Sequence, residues 1–367
     1  MKQITLENLH CTSTEDWTGA DECRLEVYND GELHFAYRKD LNDDENWALN
    51  ASLLFARTCV LRLFDEDGDF PGDDDDALGV VTIGPEDAAH ATARFTGDDA
   101  DYTITYSVVD RSDLGEADLA TFAVDQFEAS TAPSLWPALD KAEIIRDLRE
   151  RRWNPISINQ VNSNFCGPTS IVFELARTQP RRYADLCRQL FETGGFWSRT
   201  HRVDAPDGLR ASQSGQNMRP ADWMLIATMR NDENALFSVS ARSVGITSQL
   251  EGMTTPWEME GWTSELLLKD NVANSTTFVW GEFDAIRYAH QVWAGGGSAF
   301  IMIHSDMFAA PNGTVPPWPD HWVVYAGGLD ETGGRIRFQV YSWGRIYPLD
   351  LTLDHFENCM FGIVTGF

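Results

Sequence analysis

The residues best suited to covalent chemistry lie in the segment NQVNSNFCGPTS, residues 159–170. This segment places Cys166 at the start of a predicted helix and Gln160 six residues before it. A thiol attacks a carbonyl as the thiolate, and a helix N-terminus with a nearby imidazole lowers the thiol pKa. His321 opens the apolar run HWVVYAGG about 155 residues further along the chain. The sequence therefore predicts a Cys–His catalytic site.

Acyl transfer by a thiol needs an activated sulfur, a base, an oxyanion donor and a group that orients the base. Gly167 leaves room beside the thiol for a substrate backbone, and Pro168 at an early helix position costs no hydrogen bond. His321 begins a predicted strand, which would hold its ring rigidly. The candidates for the orienting group are polar residues beside the histidine or on the later strand RFQVYS: Asp320, Gln339, Tyr341 and Ser342.

Residues 140–367 resemble the papain-like cysteine peptidases, especially their bacterial bacteriocin-processing and effector branches. The matching elements are Gln160, NFCGP at 164–168, HWVV at 321–324 and SWG at 342–344. The resemblance implies a helical lobe followed by an antiparallel β lobe. It also implies that Cys166 is the nucleophile and His321 the base, with Gln160 and the Cys166 backbone N–H as oxyanion donors.

One position departs from the pattern of that family. The family places an asparagine or aspartate on the strand after the histidine, just ahead of the turn. This chain has Tyr341 at the nearest equivalent position and Ser342 beside it. We therefore predict a dyad with a weak or displaced orienting group, and we assign Ser342 to that role. Loss of the orienting residue generally slows such chemistry without abolishing it.

The elements that must position these residues divide the chain into an α+β, multidomain fold. Residues 1–110 contain seven short alternating runs separated by acidic turns, which predicts an antiparallel β-sandwich. Residues 111–138 mix polar residues with two prolines and are predicted to be a linker. Residues 139–367 form the papain-like domain. Its predicted helices cover 140–153, 166–179, 183–195 and 220–234, and its last part is again strand-like.

Two acidic loops stand out in the first domain. Asp16 and Asp21 come just ahead of one strand, and Asp65 and Asp67 follow another, before the aspartate run at 73–76. Calcium takes six to eight oxygen ligands, mostly carboxylates, from flexible loops. Loops of this kind at one end of a sandwich are suited to binding a divalent cation.

The spacing of these aspartates resembles the calcium-dependent phospholipid-binding β-sandwich, the C-two domain, over residues 1–110. DWTGAD at 16–21 matches its first loop, and FDED at 64–67 with DALG at 76–79 matches its later loop. The chain lacks the Pro-Tyr that follows the first loop in that family, and its loops carry no evident basic or apolar tip, so we do not favour lipid binding. The resemblance implies as calcium ligands Asp16, Asp21, Asp65, Asp67 and Asp76.

Composition limits the classes of partner. Acidic residues outnumber basic ones 57 to 28, for a net charge of −29. Nothing in such a surface offsets phosphate repulsion, which argues against broad nucleic-acid binding and suits cationic ligands or metal ions. At 367 residues with 43% hydrophobic content, the chain is long enough for two domains with cores of their own.

The cysteines and the N-terminus bear on location. Six cysteines are scattered without metal-ligand spacing, and we predict that the five apart from Cys166 are free thiols in a reducing cytoplasm. MKQITLENLHC lacks the apolar core of a secretory signal. We expect a protein made in the cytoplasm and delivered to a target cell by a system that reads no N-terminal signal.

The sequence thus predicts a cysteine protease that cleaves peptide bonds in a protein or peptide substrate without a catalytic cofactor. By analogy we expect a bacterial effector or toxin, with a cognate immunity or inhibitor protein as a further partner. Three alternatives stay open. The same chemistry serves a glutamine deamidase or transglutaminase, and it also serves a peptidoglycan amidase. The missing Asn or Asp would also suit a non-catalytic, metal-binding interaction protein.

Overall fold

The computed structural model describes residues 1–15, 20–66, 75–160, 165–213, 218–236, 254–276, 281–309 and 317–367. These residues form two compact units. The first unit contains Met1–Leu135 and Ala184–Trp197, and the second contains Trp136–Tyr183 and Ser198–Phe367. Both units have antiparallel sheets and helices, so the predicted α+β class is confirmed.

The first unit contains an antiparallel β-sandwich, as predicted, and this sandwich has eight strands where seven were predicted. Its two sheets have the strand orders β4-β1-β8-β7 and β3-β2-β5-β6. Apolar side chains from both sheets, among them Leu6, Leu25 and Ile104, form one core. The strands are β1 (Lys2–Ser13), β2 (Asp21–Asn29), β3 (Glu32–Leu41), β4 (Asn46–Phe55), β5 (Cys59–Asp65), β6 (Asp76–Ile83), β7 (Ala88–Phe95) and β8 (Asp101–Asp110).

Strand β2 shows why this sequence forms a half-buried sheet. Its residues DECRLEVYN alternate in burial along the whole strand. Cys23, Leu25 and Val27 are fully buried, whereas the residues between them are charged. Successive side chains of a strand point to opposite faces, so this period of two places one apolar face on the core. Strand β4 belongs to the same sandwich but was not among the seven predicted strands.

Residues 111–138 differ from the linker predicted there. They contain helix α1 (Glu116–Ala129), which belongs to the first unit. The residues that the helix buries recur every three to four positions, so they lie on one face: Leu119, Ala120, Ala123, Val124 and Phe127. Three of its apolar positions are alanine or valine among acidic residues, so its apolar face is weak in the sequence. The first unit also includes Ala184–Trp197, which lies far from it in sequence.

The remaining elements follow in chain order. The helices are α2 (Lys141–Trp153), α3 (Cys166–Thr178), α4 (Pro180–Thr193), α5 (Asp207–Arg210), α6 (Pro220–Leu236), α7 (Pro256–Glu265), α8 (Glu282–Ala294) and α9 (Leu353–Cys359). The strands are β9 (Gly195–Trp197), β10 (Arg202–Asp204), β11 (Val272–Thr276), β12 (Ser298–Ile303), β13 (His321–Asp330), β14 (Arg335–Ser342), β15 (Arg345–Thr352) and β16 (Met360–Gly366). The four helices predicted in this region are confirmed, with ends shifted by up to three residues.

The second unit is built on a six-stranded antiparallel sheet of order β11-β16-β12-β13-β14-β15. Helix α8 contributes Ile286 and Ala289 to a core with this sheet. Helix α3 packs on β13 and β14, where Phe173 stacks on Tyr341 with ring centroids 3.5 Å apart. Every residue of α3 from Cys166 to Ala176 is buried, so this helix is enclosed by the unit.

Local signals explain where two of these helices begin. The Asp140 side chain accepts hydrogen bonds from the N–H groups of Ala142 and Glu143, which satisfies two donors of α2. Thr255 and Glu258 form a reciprocal capping box at the start of α7. Within the described ranges, no helix has both the length and the apolar character needed to cross a membrane.

Candidate functional site

Cys166 is the first residue of helix α3 and is 4% exposed. Its sulfur therefore lies at the positive end of a 13-residue helix, which favours the thiolate. The next residue, Gly167, has no space for a side chain. A Cβ placed there would lie 2.2 Å from Thr254 Oγ1. The glycine after the cysteine is thus required by close packing against Thr254.

His321 is the first residue of β13 and is 5% exposed. Its Nε2 lies 2.6 Å from the Oγ of Ser342, the last residue of β14. Two other candidates for the orienting group have different partners. The Tyr341 hydroxyl donates to the Ile158 carbonyl, and the Asp320 carboxylate accepts from the backbone N–H and hydroxyl of Ser305. Ser342 is the candidate for which the structure places an oxygen on the imidazole.

Trp343 covers one face of the His321 ring. Their ring centroids are 4.3 Å apart with an angle of 7° between the planes. Trp343 and Gly344 form the turn between β14 and β15 with φ angles of 43° and 75°. A left-handed backbone is unfavourable for a large side chain and persists only where surrounding contacts hold it. The imidazole is therefore fixed by a hydrogen bond at one edge and by an indole on one face.

Thr254 connects the cysteine and histidine elements. Its side chain packs directly against Gly167, the residue after Cys166. Its carbonyl accepts a 2.7 Å hydrogen bond from the indole Nε1 of Trp322, the residue after His321. The start of α3 and the start of β13 therefore meet at one residue. Thr254 was not predicted, because a threonine ahead of a helix start carries no signal for this contact.

Gln160 is 6% exposed and joins the same region through its neighbour. The side-chain N–H of Asn159 donates to the Trp343 carbonyl over 3.4 Å, and Gly344 packs on the Asn159 side chain. Trp343 is the residue that stacks on His321. Contacts of their neighbours Thr254, Asn159 and Trp343 thus connect the segments that carry the four predicted residues: Gln160, Cys166, His321 and Ser342.

Burial lowers the pKa of His321 to about 4, while the negative charge of Asp320 opposes this change. A buried imidazolium loses its hydration, so the neutral ring is favoured. At neutral pH the imidazole is therefore a proton acceptor. In the neutral ring Nε2 is hydrogen-bonded to Ser342, so Nδ1 is the nitrogen that can take part in proton transfer.

The same pKa predicts how stability depends on pH. An unfolded histidine binds a proton near pH 6.5 and the folded one near pH 4, so the free energy of unfolding falls as pH decreases between these values. We expect His321 to account for a loss of about 2 kcal/mol between pH 7.5 and pH 5. Urea unfolding of the wild type and His321→Gln at both pH values measures this. Equal losses in the two proteins would contradict the neutral, buried ring.

The acidic end of the sandwich is described in part. Asp16 and Asp67 lie outside the described residues. Asp21 is fully buried and accepts hydrogen bonds from the Glu15 backbone N–H at 3.1 Å and from the Tyr102 hydroxyl at 2.6 Å. Asp65, also fully buried, is the partner of Asp76 across β5 and β6.

One group of carboxylates at this end has the spacing for a shared cation. Oxygen atoms of Glu15, Asp76 and Asp98 all lie within 4.8 Å of one another. Of these, Asp76 was a predicted ligand, whereas Glu15 and Asp98 were not. Asp98 lies in the turn ahead of β8, where Gly97 packs so closely on β6 that a Cβ would meet the Ala77 carbonyl at 2.4 Å. This close packing of residues far apart in sequence places Asp98 beside the strand that begins with Asp76.

Comparisons with known proteins give structural neighbours for part of the chain. No protein-family model matches the chain, and no curated protein matches it. A solved structure of a C2 domain is 19% identical, aligned over 30% of this chain and all of its own, with a TM-score of 0.25. Human GIVD cytosolic phospholipase A2, in complex with an inhibitor and terbium chloride, is 12% identical over 30% of this chain and 17% of its own, with a TM-score of 0.22.

A second Cys–His pair in the same unit provides a contrast. Cys359 Sγ lies 3.9 Å from His355 Nδ1, and the Nε2 of that ring lies 3.1 Å from the Asp306 carbonyl oxygen. Cys359 is the last residue of α9. Burial raises the pKa of the Cys359 thiol to about 12, so it stays protonated at neutral pH. The two cysteines differ in their place on a helix, since Cys166 begins α3 whereas Cys359 ends α9.

Proposed function

We propose that the second unit is a papain-like thiol hydrolase that cleaves peptide bonds. The observation that supports this most is the His321 ring, which is buried, hydrogen-bonded to Ser342 and covered by Trp343. These contacts hold the ring in one orientation. With Nε2 on Ser342, Nδ1 is the ring nitrogen that can accept a proton. The start of α3, with Cys166, meets the start of its strand at Thr254. A helix that begins with the thiol and packs on an antiparallel sheet that carries the histidine agrees with this proposal.

The reaction follows from the roles of these atoms. With Nε2–H of His321 donating to Ser342 Oγ, Nδ1 accepts the proton of the Cys166 thiol. The sulfur adds to the scissile carbonyl, and the Gln160 side chain and Cys166 backbone N–H stabilise the oxyanion. The imidazolium returns its proton to the leaving amine as the C–N bond breaks. His321 then removes a proton from water as that water adds to the thioester. The C–S bond breaks, and His321 returns the proton to the sulfur, which restores the thiol.

A comparison of cellular proteins identifies the substrate. We expect bacteria that express the wild type, but not Cys166→Ala, to accumulate proteins with new N-termini at defined sites. Mass spectrometry of N-terminal peptides reads this directly. A gain of about one dalton at glutamines, or crosslinked peptides, would replace the peptidase by a deamidase or transglutaminase. Release of peptides from purified sacculi would indicate a peptidoglycan amidase. No difference in any assay would support a non-catalytic interaction protein.

The effector role is a proposal by analogy with the resembling family. It includes delivery into a target cell and neutralisation by an inhibitor that occupies the site of Cys166 and His321. Slower growth of cells that express the wild type, compared with Cys166→Ala, supports toxicity. Equal growth of the two strains, together with a confirmed cleavage activity, would leave a hydrolase that is not a toxin.

Calcium binding by the sandwich is a second proposal, supported by the convergence of Glu15, Asp76 and Asp98. A cation that binds only the folded state stabilises it, by about 2.7 kcal/mol when its concentration is 100 times the Kd. We expect millimolar calcium to raise the melting temperature of the first unit, and Asp76→Asn to reduce that increase. Asp87→Asn, which changes a carboxylate paired with Lys2, is the matched control. An unchanged melting temperature in calcium would refute the site.

A further inference from the structure

Tyr341 links three parts of the candidate active site through one buried side chain. It is 1% exposed and precedes Ser342, the partner of the His321 ring. Its ring stacks on Phe173 with centroids 3.5 Å apart and an angle of 7° between the planes. Its hydroxyl donates a hydrogen bond to the Ile158 carbonyl. These contacts connect strand β14 to helix α3 and to the segment before Gln160.

The sequence distances make these contacts relevant to the chemistry. Phe173 lies seven residues after Cys166, about two turns along the same helix. Ile158 lies two residues before Gln160, the proposed oxyanion donor. Tyr341 thus fixes the distance between helix α3, which begins with Cys166, and the segment that precedes Gln160. Its neighbour Ser342 is hydrogen-bonded to the His321 ring.

The hydroxyl is suited to a permanent donor role. Burial raises the pKa of Tyr341 well above its usual value, so the hydroxyl keeps its proton. The accepting residue, Ile158, is fully buried, and its carbonyl would otherwise be costly to leave without a donor. A second contact of this segment, from Asn159 Nδ2 to the Trp343 carbonyl, is longer at 3.4 Å. A hydrogen bond at such a distance is weak.

We propose that Tyr341 is a positioning residue that holds the segment 158–160 so that Gln160 faces the oxyanion. This inference rests on the proposed function of Cys166 and Gln160. A positioning role for Tyr341 explains why this chain has a tyrosine where the papain-like peptidases, which it resembles, have an asparagine or aspartate. The adjacent Ser342 contacts the imidazole, and the tyrosine supports the oxyanion donor.

The test uses Tyr341→Phe in the full chain, because phenylalanine keeps the stack on Phe173 and removes only the hydroxyl. Two reactions of Cys166 are compared. Acylation by p-nitrophenyl acetate creates an oxyanion, whereas alkylation by iodoacetamide does not. We expect the acylation rate to fall by about 10- to 100-fold, which does not exceed the effect of removing an oxyanion donor itself. We expect the alkylation rate to stay within about twofold, because the Cys166–His321 pair is unaltered.

A double-mutant cycle shows whether the hydroxyl acts through Gln160. We expect Tyr341→Phe to cause no further loss of acylation in a Gln160→Ala background. Tyr325→Phe is the matched control, because this buried tyrosine of β13 bonds His290 instead and should leave both rates unchanged. Melting curves of all variants report folding.

The outcomes separate this inference from the proposed function. Full acylation activity in Tyr341→Phe, or an additive loss in the double variant, would overturn the positioning role. If the acylation and alkylation rates fell by the same factor and the melting temperature also fell, Tyr341 would have a general structural role. That result would overturn the positioning role too. Acylation that persists in Cys166→Ala would instead refute the proposed nucleophile, and with it the function on which the inference rests.

Discussion

Cys166→Ala will reduce hydrolysis by the protein on the order of 10⁴-fold or more, because the nucleophile and its base act as a unit. The substitution removes one heavy atom, the sulfur, from the first residue of helix α3 and leaves a residue that is compatible with a helix. We therefore expect the melting temperature to change little. Cleavage of the identified substrate and thermal unfolding, measured on the same samples, test both parts.

Cys359→Ala is the matched control for this variant. It also removes a buried cysteine next to a histidine in the second unit. Because burial raises the pKa of that thiol to about 12, it is not a nucleophile at neutral pH, and its loss should leave activity unchanged. A similar loss in both variants would show that structural damage, rather than removal of the nucleophile, lowers activity.

The reactivity of the thiol gives a check that needs no substrate. We expect iodoacetamide to modify Cys166 faster than Cys187 at neutral pH, because thiolate character determines the rate. Cys187 is fully buried in the first unit. Equal rates for the two cysteines would contradict an activated thiol at residue 166.

The largest effect on stability is expected for Asp222→Ala, with a loss of about 3–5 kcal/mol. The carboxylate accepts hydrogen bonds from Arg151 Nη2 at 2.6 Å and from the Tyr183 hydroxyl at 2.8 Å. Asp222 and Arg151 are each 1% exposed, so the variant leaves a buried guanidinium without its carboxylate. Helices α2 and α6, which carry the pair, both contact α3. Urea unfolding followed by tryptophan fluorescence measures the loss.

The control for this variant is an exposed ion pair of the same unit. Asp350 pairs with Arg335 at 2.6 Å, and both side chains are more than one third exposed. Water already screens such charges, so Asp350→Asn should leave the unfolding curve nearly unchanged. Comparable losses in the two variants would contradict the effect of burial. Retained stability in Asp222→Ala would show that water or another group replaces the carboxylate.

Much of the fold follows from short-range patterns. The alternating burial of β2 and the amphipathic spacing of α2 are visible in residues close together in sequence. Helix α1 was missed because its apolar face consists mainly of small residues. The β4 run NWALNASLLF was missed because polar residues at three of its ten positions interrupt the apolar pattern. Its pairing with β1 supplies the stabilising contacts. Local propensity is weaker than such tertiary contacts.

The candidate site shows the same division. Cys166, His321 and Gln160 were predicted because each lies in a distinctive local motif. The choice among Asp320, Gln339, Tyr341 and Ser342 was open, since one residue of difference along a strand changes the face on which a side chain lies. Strand pairing and the left-handed turn at Trp343 decide that Ser342 lies on the imidazole.

By itself, the sequence determined which residue types can carry out thiol chemistry, where many of the strands and helices lie, and an excess of carboxylates. Only the tertiary structure decided what surrounds them. It brought Thr254 between the cysteine and histidine elements, placed Tyr341 against Ile158, and grouped Asp76 with Glu15 and Asp98. The physical reason is that helices and strands form from contacts a few residues apart. The distance between residues 160, 166 and 321 depends instead on how a whole sheet and its helices pack.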